Sequence, residues 1–284
     1  MKGQTKNEFI TPMGEKLLKV LESTYADKYI SEYLFPQFEK KIGTSITSRQ
    51  ELQKFLKDTK VSLKCLVAYY IISRKSRDKK VFSNILLESI DKTLFEEGDW
   101  ISSEKSQKFL NTVREFAQTH KQLRVFDTIK PLLDGLIYLI SDIYENYGYG
   151  NIFLWIKSEV EETNSLEYVY HRLTSIKALG PKTASLILRD TAYIYDLEND
   201  LEFSDRIYLQ PITSTLRIVA SHAICEAQEK GFADWILAGK IAKAARMCNL
   251  SGIRINMGCN YIGLKSVQES VRIENLLNSI IRSS

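Results

Sequence analysis

Proline and glycine are scarce in this chain, which has five prolines and thirteen glycines among its 284 residues. Because these two residues interrupt regular structure most often, their scarcity favours long helices over a strand-rich fold with many turns. The four cysteines form no Cys-x-x-Cys pair, and the three histidines, His120, His171 and His222, are dispersed. We therefore expect no zinc site, and we expect free thiols in a reduced, cytoplasmic compartment.

Long hydrophobic runs and a strong excess of charge are also absent. No apolar stretch is long enough to span a bilayer, and the first residues do not resemble a signal peptide. The formal net charge is +4 and the isoelectric point is about 8.7, which is only mildly basic. We expect no membrane partner. A nucleic-acid partner would have to be bound by a local basic patch, such as the cluster at residues 74–80.

Apolar residues recur with a helical period along nearly the whole chain, so the sequence predicts an all-α fold. Helix starts are indicated at Ser48, Asn151 and Thr213, whose side chains are good N-caps. Pro131 is predicted to open one further helix, and Ser266 a final one. The acidic residues between 196 and 202 are interpreted as a solvated loop.

One stretch, residues 178–189, carries the strongest functional signal. Its sequence, ALGPKTASLILR, is typical of a tight bend followed by a helix. Gly180 is predicted to make the bend, because glycine adopts positive φ without a steric cost. Pro181 suits the first turn of the next helix. Backbone amides at that helix start, beside Lys182, predict a site for an anion such as a nucleic-acid phosphate.

These residues resemble the helix-hairpin-helix motif of the DNA glycosylase superfamily, which has a Gly-x-Gly turn followed by a lysine and two small residues. The similarity covers residues 166–195, with Ala178 at the position of the first glycine. The resemblance implies DNA as partner and a monovalent cation held by backbone carbonyls of Ile176, Ala178 and Leu179. The implied DNA-backbone contacts are Leu179, Gly180, Pro181, Lys182 and Thr183.

The resemblance also implies two helical subdomains flanking a cleft. One would join residues 1–60 to residues 196–284, and the other would comprise residues 61–195 and end in the hairpin. Some relatives carry an iron–sulfur cluster on four cysteines near the C-terminus. Here Cys248 and Cys259 stand in that region without the other two ligands, so we expect no cluster.

The catalytic residues of the superfamily are only partly present. Lys182 occupies the position of the nucleophile of the bifunctional glycosylase/lyases. It is equally compatible with a lysine that contacts phosphate or solvent. Thr213 stands where the family places its catalytic aspartate, and a threonine supplies no negative charge. Asp205 lies upstream and is the alternative carboxylate, although Pro211 prevents one long helix from continuing beyond it.

Three hypotheses follow for the function. The first is a monomeric base-excision repair enzyme, a DNA glycosylase with possible AP lyase activity through Lys182. The second is a degenerate glycosylase-fold protein that binds DNA without cutting it. The third is a helical protein in which the hairpin serves packing alone.

Overall fold

The chain folds into helices throughout the part that the computed structural model describes, residues 5–71, 79–93, 103–225 and 231–283. No strand occurs in those ranges apart from one isolated bridge between Ile10 and Ile224, which confirms the all-α class. None of the helices in these ranges is long and apolar enough to cross a membrane. The described ranges contain three π-helical turns (Leu21–Tyr25, Ile30–Leu34, Leu66–Ile71) and one 3-10 segment (Phe203–Leu209). The α-helices are, in chain order, α1 (Lys6–Phe9), α2 (Pro12–Val20), α3 (Ala26–Tyr29), α4 (Phe35–Ile42), α5 (Arg49–Leu56), α6 (Thr59–Cys65), α7 (Lys79–Thr93), α8 (Ser103–Thr119), α9 (Leu123–Tyr147), α10 (Ile152–Thr163), α11 (Glu167–Ser175), α12 (Pro181–Tyr195), α13 (Ser214–Ala223), α14 (Asp234–Cys248), α15 (Gly252–Glu269) and α16 (Ile273–Ser283).

The chain divides into two compact units. Unit 1 combines Met1–Phe35 with Asp196–Ser284, and unit 2 is Pro36–Tyr195. The first division therefore falls at residue 36, earlier than the boundary after residue 60 drawn from the sequence. The physical reason is that α5 and α6 pack with α12 and α10 of unit 2, a tertiary preference that local periodicity does not encode.

Unit 1 is built around α15, which contacts α3, α13, α14, α16 and the π-helical turn Leu21–Tyr25. Glycine makes the closest approach possible: a Cβ added to Gly258 would lie 2.2 Å from the carbonyl oxygen of Leu21. A Cβ at Gly14 would similarly lie 2.3 Å from the carbonyl oxygen of Ala223. These two contacts bring backbones together where no other residue fits.

Unit 2 is organised around α12, which contacts α5, α10 and α11. The side chains of Ile187, Leu188 and Ile194 are fully buried. Arg49 of α5 donates a hydrogen bond to the carbonyl oxygen of Tyr193 at 3.2 Å, so α5 also caps the last turn of α12. The helix that follows the bend is therefore the apolar centre of this unit.

The predicted helix starts have mixed outcomes. Thr213, Asn151 and Ser48 all cap helices as expected, and the Ser48 hydroxyl accepts from the amide of Glu51 at 3.2 Å. The starts at Pro131 and Ser266 are wrong. Pro131 lies inside α9, where it forgoes one backbone hydrogen bond. The helix begins upstream of it at Leu123 and buries Phe126.

Ser266 lies inside α15 and does not open the last helix. The helix continues to Glu269 and ends where Ser270 adopts a left-handed conformation with φ of 54°. The amide of Val271 donates to the carbonyl oxygen of Ser266 at 3.1 Å, which satisfies a terminal carbonyl of α15. The capping residues predicted for the final helix thus belong to the end of the preceding one.

Candidate nucleic-acid interface

The bend at residues 176–180 joins α11 to α12 through a short set of backbone hydrogen bonds. The amide of Leu179 donates to the carbonyl oxygen of Ile176 at 3.0 Å, closing the turn. The amides of Thr183 and Ala184 both donate to the carbonyl oxygen of Gly180, at 2.9 and 3.1 Å. Gly180 is therefore the residue from which α12 begins.

The left-handed residue of the bend is Ala178, with φ of 71°. The prediction that Gly180 makes the turn by positive φ is wrong, because Gly180 is not among the positive-φ glycines. Ala178 stands at the first glycine of the motif described above, so the backbone makes the glycine-type turn there without a glycine. This conformation costs an L-residue about 1–2 kcal/mol. The burial of Ile176 and Leu179 on either side of Ala178 must offset that cost.

The bend is seated on α9. Ile176 and Leu179 are buried, with 7% and 3% of their surface exposed. A Cβ added to Gly135 of α9 would lie 2.7 Å from Cγ2 of Ile176, so Gly135 provides the space for that side chain. Further along α9, the carboxylate of Asp142 forms an ion pair with the guanidinium of Arg172 in α11. Both contacts hold the bend in a fixed position on unit 2.

The predicted DNA contacts separate into two groups in the structure. Pro181 and Lys182 are exposed, and Gly180 is partly exposed. The side chains of Leu179 and Thr183 are buried and therefore contribute to packing. The amide of Thr183 donates to the carbonyl oxygen of Gly180. Lys177 is also exposed in the bend. Sequence reasoning missed it, although a lysine inside the turn was the available signal.

Lys182 lies in the first turn of α12 with an exposed side chain. The side chain is therefore accessible to a ligand from solvent. The predicted monovalent cation stays a prediction. Of its carbonyl ligands, the Ile176 oxygen already accepts one hydrogen bond and has a second lone pair.

The two candidate carboxylate positions belong to unit 1. Thr213 is the N-cap of α13, and its Oγ1 accepts from the amide of Leu216 at 3.1 Å. Asp205 lies in the 3-10 segment, is 8% exposed, and accepts from the hydroxyl of Ser204 at 3.3 Å. Both side chains therefore have structural partners within their own unit.

The acidic stretch that follows α12 is not uniformly solvated. Glu198 is half-buried, and its Oε1 accepts from the amide of Ile253 at 3.2 Å while its Oε2 accepts from the hydroxyl of Ser251. Glu198 thus supports the N-terminus of α15, where a negative charge is favourable. This corrects the interpretation of that residue as part of a solvated loop, whereas Asp200 and Glu202 are exposed as expected.

Several cations of unit 1 make contacts within the fold. Lys243 lies 4.1 Å from the centroid of the Phe9 ring, and Arg246 lies 4.7 Å from that of Phe203. Arg217 pairs with the carboxylate of Asp234. In the cluster at residues 74–80, Arg74, Lys75 and Arg77 lie outside the described residues.

A buried ion pair lies inside α12. The guanidinium of Arg189 donates to Oδ1 of Asp190 at 2.6 and 2.9 Å, and both side chains are fully buried. The hydroxyl of Tyr70 donates to the other carboxylate oxygen at 3.1 Å. Burial raises the pKa of Asp190, while Arg189 and Tyr70 oppose this shift by stabilising the carboxylate. Sequence reasoning missed this cluster, because Tyr70 is distant along the chain.

Cysteine side chains are dispersed in the structure, as they are in the sequence. Cys65, Cys248 and Cys259 are buried, Cys225 is partly exposed, and all four are free thiols. Burial raises the pKa of the Cys65 thiol to about 12. Within the described ranges, no group of three or more His, Cys, Asp or Glu side chains is placed to hold a metal ion.

Comparisons with known proteins return nothing similar: no family model, curated protein or solved structure matches this chain.

Proposed function

We propose that this protein binds DNA through the bend between α11 and α12, as a helix-hairpin-helix protein of the DNA glycosylase type. The observation that carries the proposal is the left-handed turn at Ala178. Ala178 stands at the first glycine of the turn on which the resemblance rests, and its backbone has a conformation that glycine favours. Two exposed lysines, Lys177 in the bend and Lys182 in the first turn of α12, flank Ala178, and positive side chains near a helix start favour a phosphate.

Salt-dependent binding to duplex DNA tests the proposal. Each phosphate neutralised by a lysine contributes about 0.9 to the slope of log K against log salt. We expect Lys177→Gln and Lys182→Gln each to weaken binding and to reduce that slope by about 0.9. Lys54→Gln is the matched control, because Lys54 is an exposed lysine on α5 of the same unit. Equal effects of all three changes would show that only net charge matters and would refute a specific bend contact.

Base excision is the enzymatic form of this proposal. On an abasic site, the Lys182 amine would condense with the C1′ aldehyde, releasing one water and leaving an imine. Borohydride then reduces the imine to a stable secondary amine that links protein and DNA. If the protein excises bases through Lys182, an adduct should be trapped with the native protein and none with Lys182→Gln. Base excision would be refuted if no adduct were trapped on abasic duplex and no cleavage occurred on duplexes with oxidised, deaminated or alkylated bases.

Binding without excision is the second candidate, and the capping role of Thr213 favours it. The hydroxyl of Thr213 is engaged by the start of α13 and brings no charge. Thr213→Asp restores a carboxylate and keeps a good N-cap. Excision by this variant alone would identify the native protein as a DNA-binding member without catalysis. Excision by the native protein that is lost in Asp205→Asn would instead assign the carboxylate to Asp205.

A further inference from the structure

Tyr138 is an exposed aromatic residue of α9, the helix against which Ile176 of the bend packs. Its exposed fraction is 67%, which is large for a residue on a helix that otherwise buries Leu136, Leu139 and Ile140. Gly135 and Asp142, the positions of α9 that contact Ile176 and Arg172, lie three residues before and four after it. At 100° per residue, Tyr138 is rotated by about 60° from Gly135, on the edge of the face that meets α11.

Helix geometry predicts that the ring of Tyr138 lies on the side of the bend. Helical side chains lean towards the N-terminus, so a residue covers the turn that precedes its own Cα. For Tyr138 that turn contains Gly135, the residue in contact with Ile176. Tyr168 of α11 is 53% exposed but leans away from the bend by the same rule, and its ring packs edge-on against Trp155 at 6.2 Å.

Charge on this surface is complementary to a nucleic-acid strand. The two acidic residues of α9 next to Tyr138 are neutralised, Asp134 by Lys130 at 2.7 Å and Asp142 by Arg172. Lys177 and Lys182 add positive charge at the bend. An aromatic face beside a positively charged groove or edge is the arrangement that binds single-stranded nucleic acid.

We propose that Tyr138 is a stacking platform for a nucleobase of the strand whose phosphates the bend holds. The base must be unpaired, because a base inside a duplex is already stacked on both faces. The occupant is therefore single-stranded DNA, or a duplex with an unpaired base at the bend. This inference rests on the proposed function, and it adds a preference for unpaired bases that the bend alone does not give.

Affinity for a short single-stranded oligonucleotide tests the platform, measured by fluorescence anisotropy with full-length protein. Stacking on an aromatic side chain contributes enough that Tyr138→Ala should weaken binding about 5- to 150-fold. Tyr138→Phe keeps the ring and should bind within about twofold of the native protein. Tyr168→Ala is the matched control and should leave the affinity unchanged. The salt slope of Tyr138→Ala should equal that of the native protein, because stacking releases no counterions.

Removal of one base at a time from the oligonucleotide gives the sharper result. An abasic analogue at the stacked position should weaken binding by the native protein. It should have little effect on binding by Tyr138→Ala, because the two changes remove the same stacking interaction. Native affinity in Tyr138→Ala, additive losses at every position, or a reduced salt slope would each overturn the platform. If lysine-dependent binding persists in any of those outcomes, only this inference fails. If the native protein binds no DNA, the proposed function fails with it.

Discussion

Replacement of Ala178 by glycine should stabilise this protein, although glycine usually destabilises folded chains. Ala178 has φ of 71°, a conformation that costs an L-residue about 1–2 kcal/mol. Glycine removes this cost but loses about 0.4–1 kcal/mol through the larger freedom of the unfolded chain. The difference predicts a gain of about 0.5–1 kcal/mol in the free energy of unfolding of unit 2. The side chain is exposed, so no packing is lost.

Two glycines of unit 2 provide matched controls. Gly148 ends α9 with φ of 76°, and a Cβ there would meet nothing within 4 Å. Gly148→Ala therefore imposes the strain that Ala178→Gly relieves, and it should destabilise by a similar amount. Gly180 also has open space but no positive φ. Gly180→Ala should change stability by less than about 0.5 kcal/mol, since a weaker helix cap and a stiffer unfolded chain nearly cancel.

Urea unfolding followed by the fluorescence of Trp155 measures all three changes. Trp155 is buried in unit 2, and replacement of Trp100 and Trp235 by phenylalanine makes it the only fluorescent tryptophan. The reasoning is refuted if Ala178→Gly lowers the unfolding free energy while Gly180→Ala lowers it by more than 1 kcal/mol, on the order of the cost of an L-residue at positive φ. That pattern would place the left-handed residue of the bend at Gly180.

The remaining predictions concern unit 1. Gly258→Ala should lower the free energy of unfolding by about 1–3 kcal/mol, because the added Cβ would overlap a backbone carbonyl. Gly239→Ala should raise it by up to about 1 kcal/mol, because alanine favours a helix and the nearest neighbour of its Cβ lies at 4.0 Å. Thermal melts of the two variants should therefore shift in opposite directions. Glu198→Gln should destabilise by about 1 kcal/mol through the lost charge at the start of α15, whereas Asp200→Asn in the same loop should have no measurable effect on urea unfolding. Two lysines lower the pKa of Glu15 from 4.5 to about 2, so its contribution to stability is present above pH 4.5 and disappears as the pH falls towards 2. Glu15→Gln should therefore flatten the acid limb of a stability–pH profile, and an unchanged limb would contradict this assignment.

Local chemistry explains the parts of the fold that could be predicted from the sequence. A helix cap depends on one side chain and on amides two or three residues later. For this reason Asn151 and Thr213 could be identified without tertiary information. The same locality explains the failure at Pro131. A proline normally marks the first turn of a helix, but here the helix continues upstream of Pro131, where Phe126 is buried.

Residues whose role depends on distant partners could not be predicted. Arg189 and Asp190 are adjacent charged residues at the end of an apolar stripe. Both are fully buried, and Asp190 accepts a hydrogen bond from Tyr70, which is distant along the chain. The role of Ala178 could not be predicted either, because alanine rarely adopts positive φ and the local sequence favours the nearby glycine. The position of Tyr138 relative to the bend depends on the packing of α9 on α11, which the hydrophobic periodicity of the sequence does not specify.

Binding and excision make different demands on this chain, and the residues are unevenly suited to them. Binding needs a rigid bend and positive charge, and unit 2 supplies both through Ala178, Lys177 and Lys182. Excision also needs a carboxylate near the reacting sugar to stabilise its developing positive charge. The candidate positions for it are Thr213, which has no charge and caps a helix, and Asp205, which is buried beside Ser204. The proposal of DNA binding therefore makes fewer demands that these residues fail to meet than the proposal of base excision, and a trapped adduct at Lys182 is the result that would reverse this order.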